Sequence, residues 1–229
     1  IIGVAGSQAD IEVISLGAEI LRELGVLDRT ELQINSLGDL GSRQAYRDAL
    51  VAYFGGHKRA LSAESRQRLK RNPLRILDSK DDGDRALVAE APRMADYLNE
   101  ESADFFSEVL AGLNALGVTY RQNPYLVRGL DYYSHTAFEF VTGDLGAQGA
   151  VIAGGRYDGL IAQLGGAATP AIGWALGMER LLLVLEASAQ VDPEGTAARL
   201  VAGSAPDAFI VNRGVQASVA ALALARDLR

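Results

Sequence analysis

The chain has 229 residues, a net charge of −7, no cysteine and only two histidines, His57 and His135, and 48% of it is hydrophobic. That size and apolar content suit one large domain, or a domain with a smaller second body, and argue against disorder. Without cysteine there are no disulfides, thiolate nucleophiles or cysteine-held zinc; two histidines leave little for a histidine metal site, and no apolar run approaches the roughly 20 residues of a membrane span.

The opening residues, "IIGVAGSQAD", begin with an apolar pair that reads as the end of a strand, and "LALARDLR" stops within a helical pattern, so both ends read as cut. No basic-then-apolar leader is present, and a cytoplasmic protein is expected. Asp10 is placed to cap a helix in which Val13, Leu16, Ile20 and Leu24 recur at helical spacing before Gly25. "TELQINSLG" then alternates, with Leu32 and Ile34 on one face of a strand. From Asp39 the pattern turns helical and polar. "SRQAYRDALVAYF" predicts one helix, stopped by Gly55-Gly56; a short basic helix follows Ser62 and ends at Pro73. "NEESADFFSEVLAGLNALG" carries the clearest stripe, Phe106, Val109, Leu110, Leu113 and Leu116, with Gly117 as stop.

At Tyr125 the period becomes two: Thr136, Phe138 and Phe140 share one strand face, Ala137, Glu139 and Val141 the other. The helical stretch 39–123 therefore interrupts a sheet and reads as an insertion. "AVIAGG" is a second strand, and "PAIGWALGMERLLLVLEAS" leads into a helix behind Gly173 and Gly177. Residues 187–205 are small and polar and read as a linker, before the strand "PDAFIV" and a closing helix that open a separate α/β unit.

Charge is unevenly spread. Between Lys58 and Lys80 eight cations face only Glu64 and Asp78, a local +6, followed at once by Asp81, Asp82 and Asp84. A solvated face is the ordinary reading; a surface for a phosphate backbone is the sharper one.

Three stretches carry candidate chemistry. In "LVRGLDYYSHTAFEF" the fork of Arg128 suits carboxylates and phosphates, although a structural ion pair, for instance with Asp131, is equally open. Tyr132 and Tyr133 would point to opposite faces of a regular strand. In "AGGRYDGL" Gly154-Gly155 admits a ligand or another backbone before Arg156, Tyr157 and Asp158, or simply makes a hairpin turn; it lacks a phosphate loop's Lys-Ser/Thr ending. In "GWALGMERLLL" Arg180 projects from a helix's first turns, to pair with a carboxylate or to contact a nucleotide.

Taken together, in this order, the three stretches closely resemble the histidyl-tRNA synthetase family: two histidine-specific signatures and motif three of the class II aminoacyl-tRNA synthetases. "INSLG" and "NPLRILDSK" are also similar to the bacterial enzymes. The resemblance implies an α+β fold with an antiparallel catalytic sheet and flanking helices, in part at 1–38 and 124–189. It also implies a helical insertion at 39–123, a linker at 190–205 and the start of an α/β anticodon-binding domain at 206–229. It implies a homodimeric, cytoplasmic ligase that takes ATP with Mg2+, L-histidine and tRNA(His), forms histidyl-adenylate and transfers the histidyl group to the tRNA 3′ end.

By the same resemblance, Arg128 contacts the histidine carboxylate and the α-phosphate, and is the catalytic candidate. Tyr132, Tyr133 and Tyr157 line the histidine pocket, and Arg180 lies against adenine. The insertion covers the acceptor arm, with Arg66, Arg68 and Arg71 as candidate tRNA contacts. Ser134-His135 departs from the family pattern, and no implied step needs a histidine base there. Motif one and most of motif two are not found, so the 229 residues are expected to be inactive alone. The alternative is a non-catalytic synthetase-like protein, either a regulatory subunit of histidine biosynthesis or a tRNA-sensing domain.

Overall fold

Alternation along the strands gives this protein's sheet one apolar face and one face of polar or small residues. The computed structural model describes residues 1–129, 132–146, 149–203 and 224. The sheet runs β2-β1-β3-β4-β5, with β1 Glu31–Ser36, β2 Arg121–Gln122, β3 Ser134–Val141, β4 Ala150–Arg156 and β5 Ile172–Leu176. All pairs are antiparallel except β1 with β2. The helices are α1 Gln8–Glu23, α2 Leu40–Gly56, α3 Ala63–Arg71, α4 Asp82–Ala89, α5 Glu100–Ala115, α6 Leu160–Gln163, α7 Met178–Val191 and α8 Thr196–Gly203. Ile2 bridges Ala171 in antiparallel fashion, so the first residues lie along β5 as the apolar pair predicts.

On the apolar face Leu32, Ile34, Phe138, Phe140 and Ile152 form one core with α1, α5 and α7. The register places Gln33, Glu139, Ala153 and Ala175 in one row of the opposite face, and Asn35, Ala137, Gly155 and Gly173 in the next. Helices α1 and α5 end alike. Gly25 and Gly117 take positive φ (69° and 67°), and the N–H groups of Val26 and Val118 reach back to the carbonyls of Leu21 and Leu113. These bonds satisfy carbonyls that a helix end leaves open.

Several sequence expectations change. Asp10 does not cap α1; it is fully buried in the first turn and bonds Arg156. Leu116 is exposed, beyond the buried stripe of α5. The sheet resumes at Arg121–Gln122 and the long strand only at Ser134, so residues from Tyr125 are not yet a strand. The stretch 39–123 is split by packing. Tyr46, Leu50, Phe54, Leu74, Ile76 and Met94 close a second core, whereas Val109 and Leu113 of α5 belong to the core of the sheet. The residues read as linker are largely helical: α7 runs to Val191, and α8 follows after a turn and packs on α7. Ala197 is buried in the core of the sheet and Val201 packs against it, whereas Leu200 is exposed. The strand and helix expected over 206–229 fall outside the described residues, apart from Leu224.

The chain enters and leaves the second body through a paired cap. Asp39 caps α2 through the N–H of Ser42 (2.7 Å), and Asn99 caps α5 through the N–H of Ser102 (2.9 Å). The caps are joined to each other: Asn99 donates to Asp39 (3.1 Å) and to Ser42 Oγ (3.0 Å), and the N–H of Asp39 to Ser102 Oγ (3.2 Å). Side-chain caps of this kind are each worth about 1 kcal/mol.

Within that body, Asp84 is buried and accepts from the hydroxyls of Ser62, Ser65 and Ser79 (2.7, 2.5 and 2.7 Å) and the N–H of Ser62 (2.8 Å). Burial works to raise its pKa, but these bonds outweigh it and hold the carboxyl at about 2. A carboxyl lowered on folding, from an ordinary value of about 3.9, stabilises above that value, and the contribution disappears as pH falls towards 2. Acid unfolding followed by circular dichroism should therefore show a loss of stability between about pH 4 and 2. Asp84→Asn should lower stability at neutral pH and flatten that segment; an unchanged profile would show that Asp84 does not govern it.

Candidate active site

The segment 123–128 lies against the open sheet face and begins with a turn, closed by the N–H of Leu126 on the Asn123 carbonyl (3.0 Å). Asn35 on β1 holds it by donating to the carbonyls of Leu126 (3.1 Å) and Pro124 (3.4 Å), and Asn123 donates to Gln33 (2.7 Å). Tyr125 and Val127 pack against the second core. Arg128 follows at once, over the middle of the sheet. Its Nη1 meets Glu139 at 3.4 Å and its guanidinium lies 5.4 Å from the Tyr133 ring centroid. Its Nε is buried and has no hydrogen-bond partner among the described residues. Asp131, the partner considered from sequence, lies outside the described residues; Glu139 fills that role.

Glu139 is half-buried. Burial raises its pKa, with Arg128 opposing and Asp78 reinforcing the shift. Together these groups border a cleft of about 620 Å3, which Arg180 and Lys80 also line. Arg180 lies in the first turn of α7 and donates to the carbonyl of Ala150 (2.9 Å).

Tyr132 and Tyr133 precede β3 rather than belonging to it, so they do not diverge. Their rings stack with centroids 4.5 Å apart, and Tyr157 meets both edge-on at 6.1 and 6.4 Å. A hydrogen bond with Tyr133, together with burial, pushes the Tyr132 phenol up to about 12. Gly154 and Gly155 lie inside β4 and make no hairpin. A Cβ on Gly155 would come within 2.6 Å of the Thr136 carbonyl and 2.9 Å of the Tyr133 ring. The Tyr157 hydroxyl hangs over Gly173, 3.2 Å from where a Cβ would be. These glycines leave a floor low enough for three phenol rings and a flat ligand.

Arg156, next to Tyr157, is fully buried. It bonds both oxygens of Asp10, the carbonyls of Val4 and Gly6 (each 3.1 Å) and Asp158 (3.1 Å), and its guanidinium lies 5.0 Å from the Phe105 ring centroid. The Asp158 carboxylate also accepts from the N–H of Ala171 (3.0 Å). His135 sits beside this cluster at φ 45°, its ring 5.0 Å from that of Phe105, and burial lowers its pKa. It does not line the cleft.

Of the basic residues on α3, Arg66, Lys70 and Arg71 are exposed. Arg66 borders a second cleft, of about 650 Å3, with His57, Lys58 and Arg59. Arg68 is different: it pairs with Glu64 (2.5 Å) and donates to the carbonyl of Arg75 (2.9 Å), which ties α3 to the turn that follows it.

The family model described as histidyl-tRNA synthetase matches residues 1–181. The chain belongs to the histidyl-tRNA synthetase family. The histidine–tRNA ligase of Parasynechococcus marenigrum (strain WH8102) is 59% identical over 228 residues, 100% of this chain and 53% of that protein. That of Rhodospirillum rubrum is 62% identical over 187 residues, 82% of this chain and 45% of that protein. Among solved structures, apo histidyl-tRNA synthetase from S. aureus is 37% identical and superposes with a TM-score of 0.66, covering 99% of this chain and 54% of its own. The chain thus spans about half the length of the relatives it matches.

Sequence reasoning had passed over three groups within this synthetase fold. Glu139 carried a signal, as a carboxylate amid the aromatics of a strand. Asp10 and Arg156 carried none as a pair, because 146 residues separate them. Lys80 reads from sequence as the end of the +6 segment, a solvated face or a phosphate-backbone surface, and nothing there brings it to this cleft.

Proposed function

We propose that these residues form part of the active site of a histidine–tRNA ligase. The observation that carries the reading is Arg128: a partly buried cation with an unsatisfied Nε, set between the three tyrosines and the cleft of Arg180. Two anions, the histidine carboxylate and the α-phosphate of ATP, have to be brought together, and a fixed guanidinium between them suits both. A carboxylate oxygen attacks the α-phosphorus, the bond to the bridging oxygen breaks, and pyrophosphate leaves. The 3′-terminal ribose hydroxyl of tRNA(His) then attacks the histidyl carbonyl and AMP departs.

The phenols of Tyr133 and Tyr157 can each donate to or accept from an imidazole nitrogen, which suits a substrate with one of each. Arg180 at the start of α7 serves the nucleotide. Magnesium would arrive with the ATP phosphates and neutralise part of their charge; among the described residues no cluster of three or more metal-ligating side chains is found. The exposed Arg66 and Arg71 face the tRNA in this reading, and Arg68 acts through the fold of α3. The family's homodimeric state and cytoplasmic setting belong to the same proposal.

Histidine-dependent ATP–pyrophosphate exchange by the full-length protein tests it. Tyr157→Phe and Tyr133→Phe should weaken histidine binding by about 1–3 kcal/mol and leave ATP binding unchanged. Exchange supported equally by other amino acids, or equal losses for histidine and ATP, would refute the assignment.

A further inference from the structure

"NPLRILDSK" ends in a loop of the helical body that reaches the sheet. Its Leu77, Asp78 and Lys80 line the same cleft as Arg128 and Arg180. The loop is tightly held. Ser79 donates from its N–H to the Ile76 carbonyl (2.9 Å) and from its hydroxyl to buried Asp84 (2.7 Å), and Leu77 is buried in the second core. On the other side of Lys80, Asp81 caps α4 through the N–H of Asp84 (3.1 Å). Lys80 is therefore an exposed residue between two anchored neighbours, and it lines the cleft. Three cations, Arg128, Arg180 and Lys80, and two carboxylates, Asp78 and Glu139, line this one space, with Glu139 paired to Arg128, so positive charge is in excess by one. Such a cleft suits a ligand with several negative charges in a row.

We infer that Lys80 is a phosphate-binding residue of the active site, supplied by the helical body and meeting the β- and γ-phosphates of ATP and the departing pyrophosphate. This rests on reading the cleft as the nucleotide site. In that reading Arg128, against Tyr133, stands where the α-phosphate meets histidine, and Lys80 lines the wall that the helical body contributes to the same cleft. An ammonium there acts as a point charge with three donors, tolerant of a chain that moves as pyrophosphate leaves.

The test compares ATP, pyrophosphate and AMP binding by the full-length protein and its Lys80→Met and Lys80→Arg variants, alongside pyrophosphate exchange. Lys80→Met should weaken ATP and pyrophosphate about ten-fold or more, the loss of a charged hydrogen bond, and raise KM for ATP but not for histidine. AMP affinity should stay at the wild-type value, and Lys80→Arg should recover most of the loss. Equal losses for ATP and AMP, no loss for either, or a defect confined to transfer onto tRNA would overturn the assignment. ATP failing to bind the wild-type protein would instead overturn the reading of the cleft itself.

Discussion

Arg128→Ala in the full-length protein is expected to cut histidine-dependent pyrophosphate exchange by roughly 100-fold or more, the scale of a lost donor to developing charge. The loss should lie in kcat rather than in KM for histidine, because the charge on the phosphate grows as the carboxylate attacks. Arg128 is held for this from three sides: Asn35 fixes the segment before it, Tyr133 lies against its guanidinium, and Glu139 takes Nη1. Removing it also leaves Glu139 without its cation, in surroundings that already raise its pKa. Glu139→Gln is the informative companion, since it removes that carboxylate and keeps the arginine. A kcat unchanged in Arg128→Ala would end the transition-state role, and a loss seen only in KM would reduce the residue to substrate binding.

Arg156→Met should have the largest effect on stability, about 3–5 kcal/mol in urea unfolding, the scale for breaking a buried ion pair from one side. Asp10 would be left fully buried without its partner, and the carbonyls of Val4 and Gly6 would lose theirs. The double variant with Asp10→Asn should recover part of the loss, because the unpaired charge is gone. Arg156→Lys should recover less, since one ammonium cannot span both Asp10 oxygens, two carbonyls and Asp158. Equal stability of the single and double variants would show that the pair is not coupled.

The sheet and its helices could be read from sequence wherever one element has one period. The strand faces of Leu32 and Ile34 and of Phe138 and Phe140, the apolar stripe of α5 and the start of a short helix after Ser62 all follow local rules. What escaped is what depends on distant partners. Nothing local assigns α5 to the core of the sheet rather than to the helical body, because an amphipathic helix does not name the surface it covers. Asp10 obeys the rule for a cap and is spent on Arg156. Of the candidate site, the cations and tyrosines were legible as residue types, but the common side of Tyr132 and Tyr133 depends on where β3 begins. Of the three serines around Asp84, Ser62 and Ser65 begin α3 and Ser79 lies in the loop before α4, so nothing local marks them as a set.

The paired caps at Asp39 and Asn99 bring the entry and the exit of the helical body together. The two are hydrogen-bonded to one another, so the chain could pass from residue 39 to residue 99 through a very short link without moving β1 or α5. A core relieved of that body would keep its sheet and lose something subtler. Arg43 of α2 donates to the Tyr133 carbonyl (2.8 Å), and Tyr125 and Val127 rest on the body's own core. The helical body therefore braces the backbone on both sides of Arg128, and the aim of the arginine and the tyrosines depends on how that body is seated.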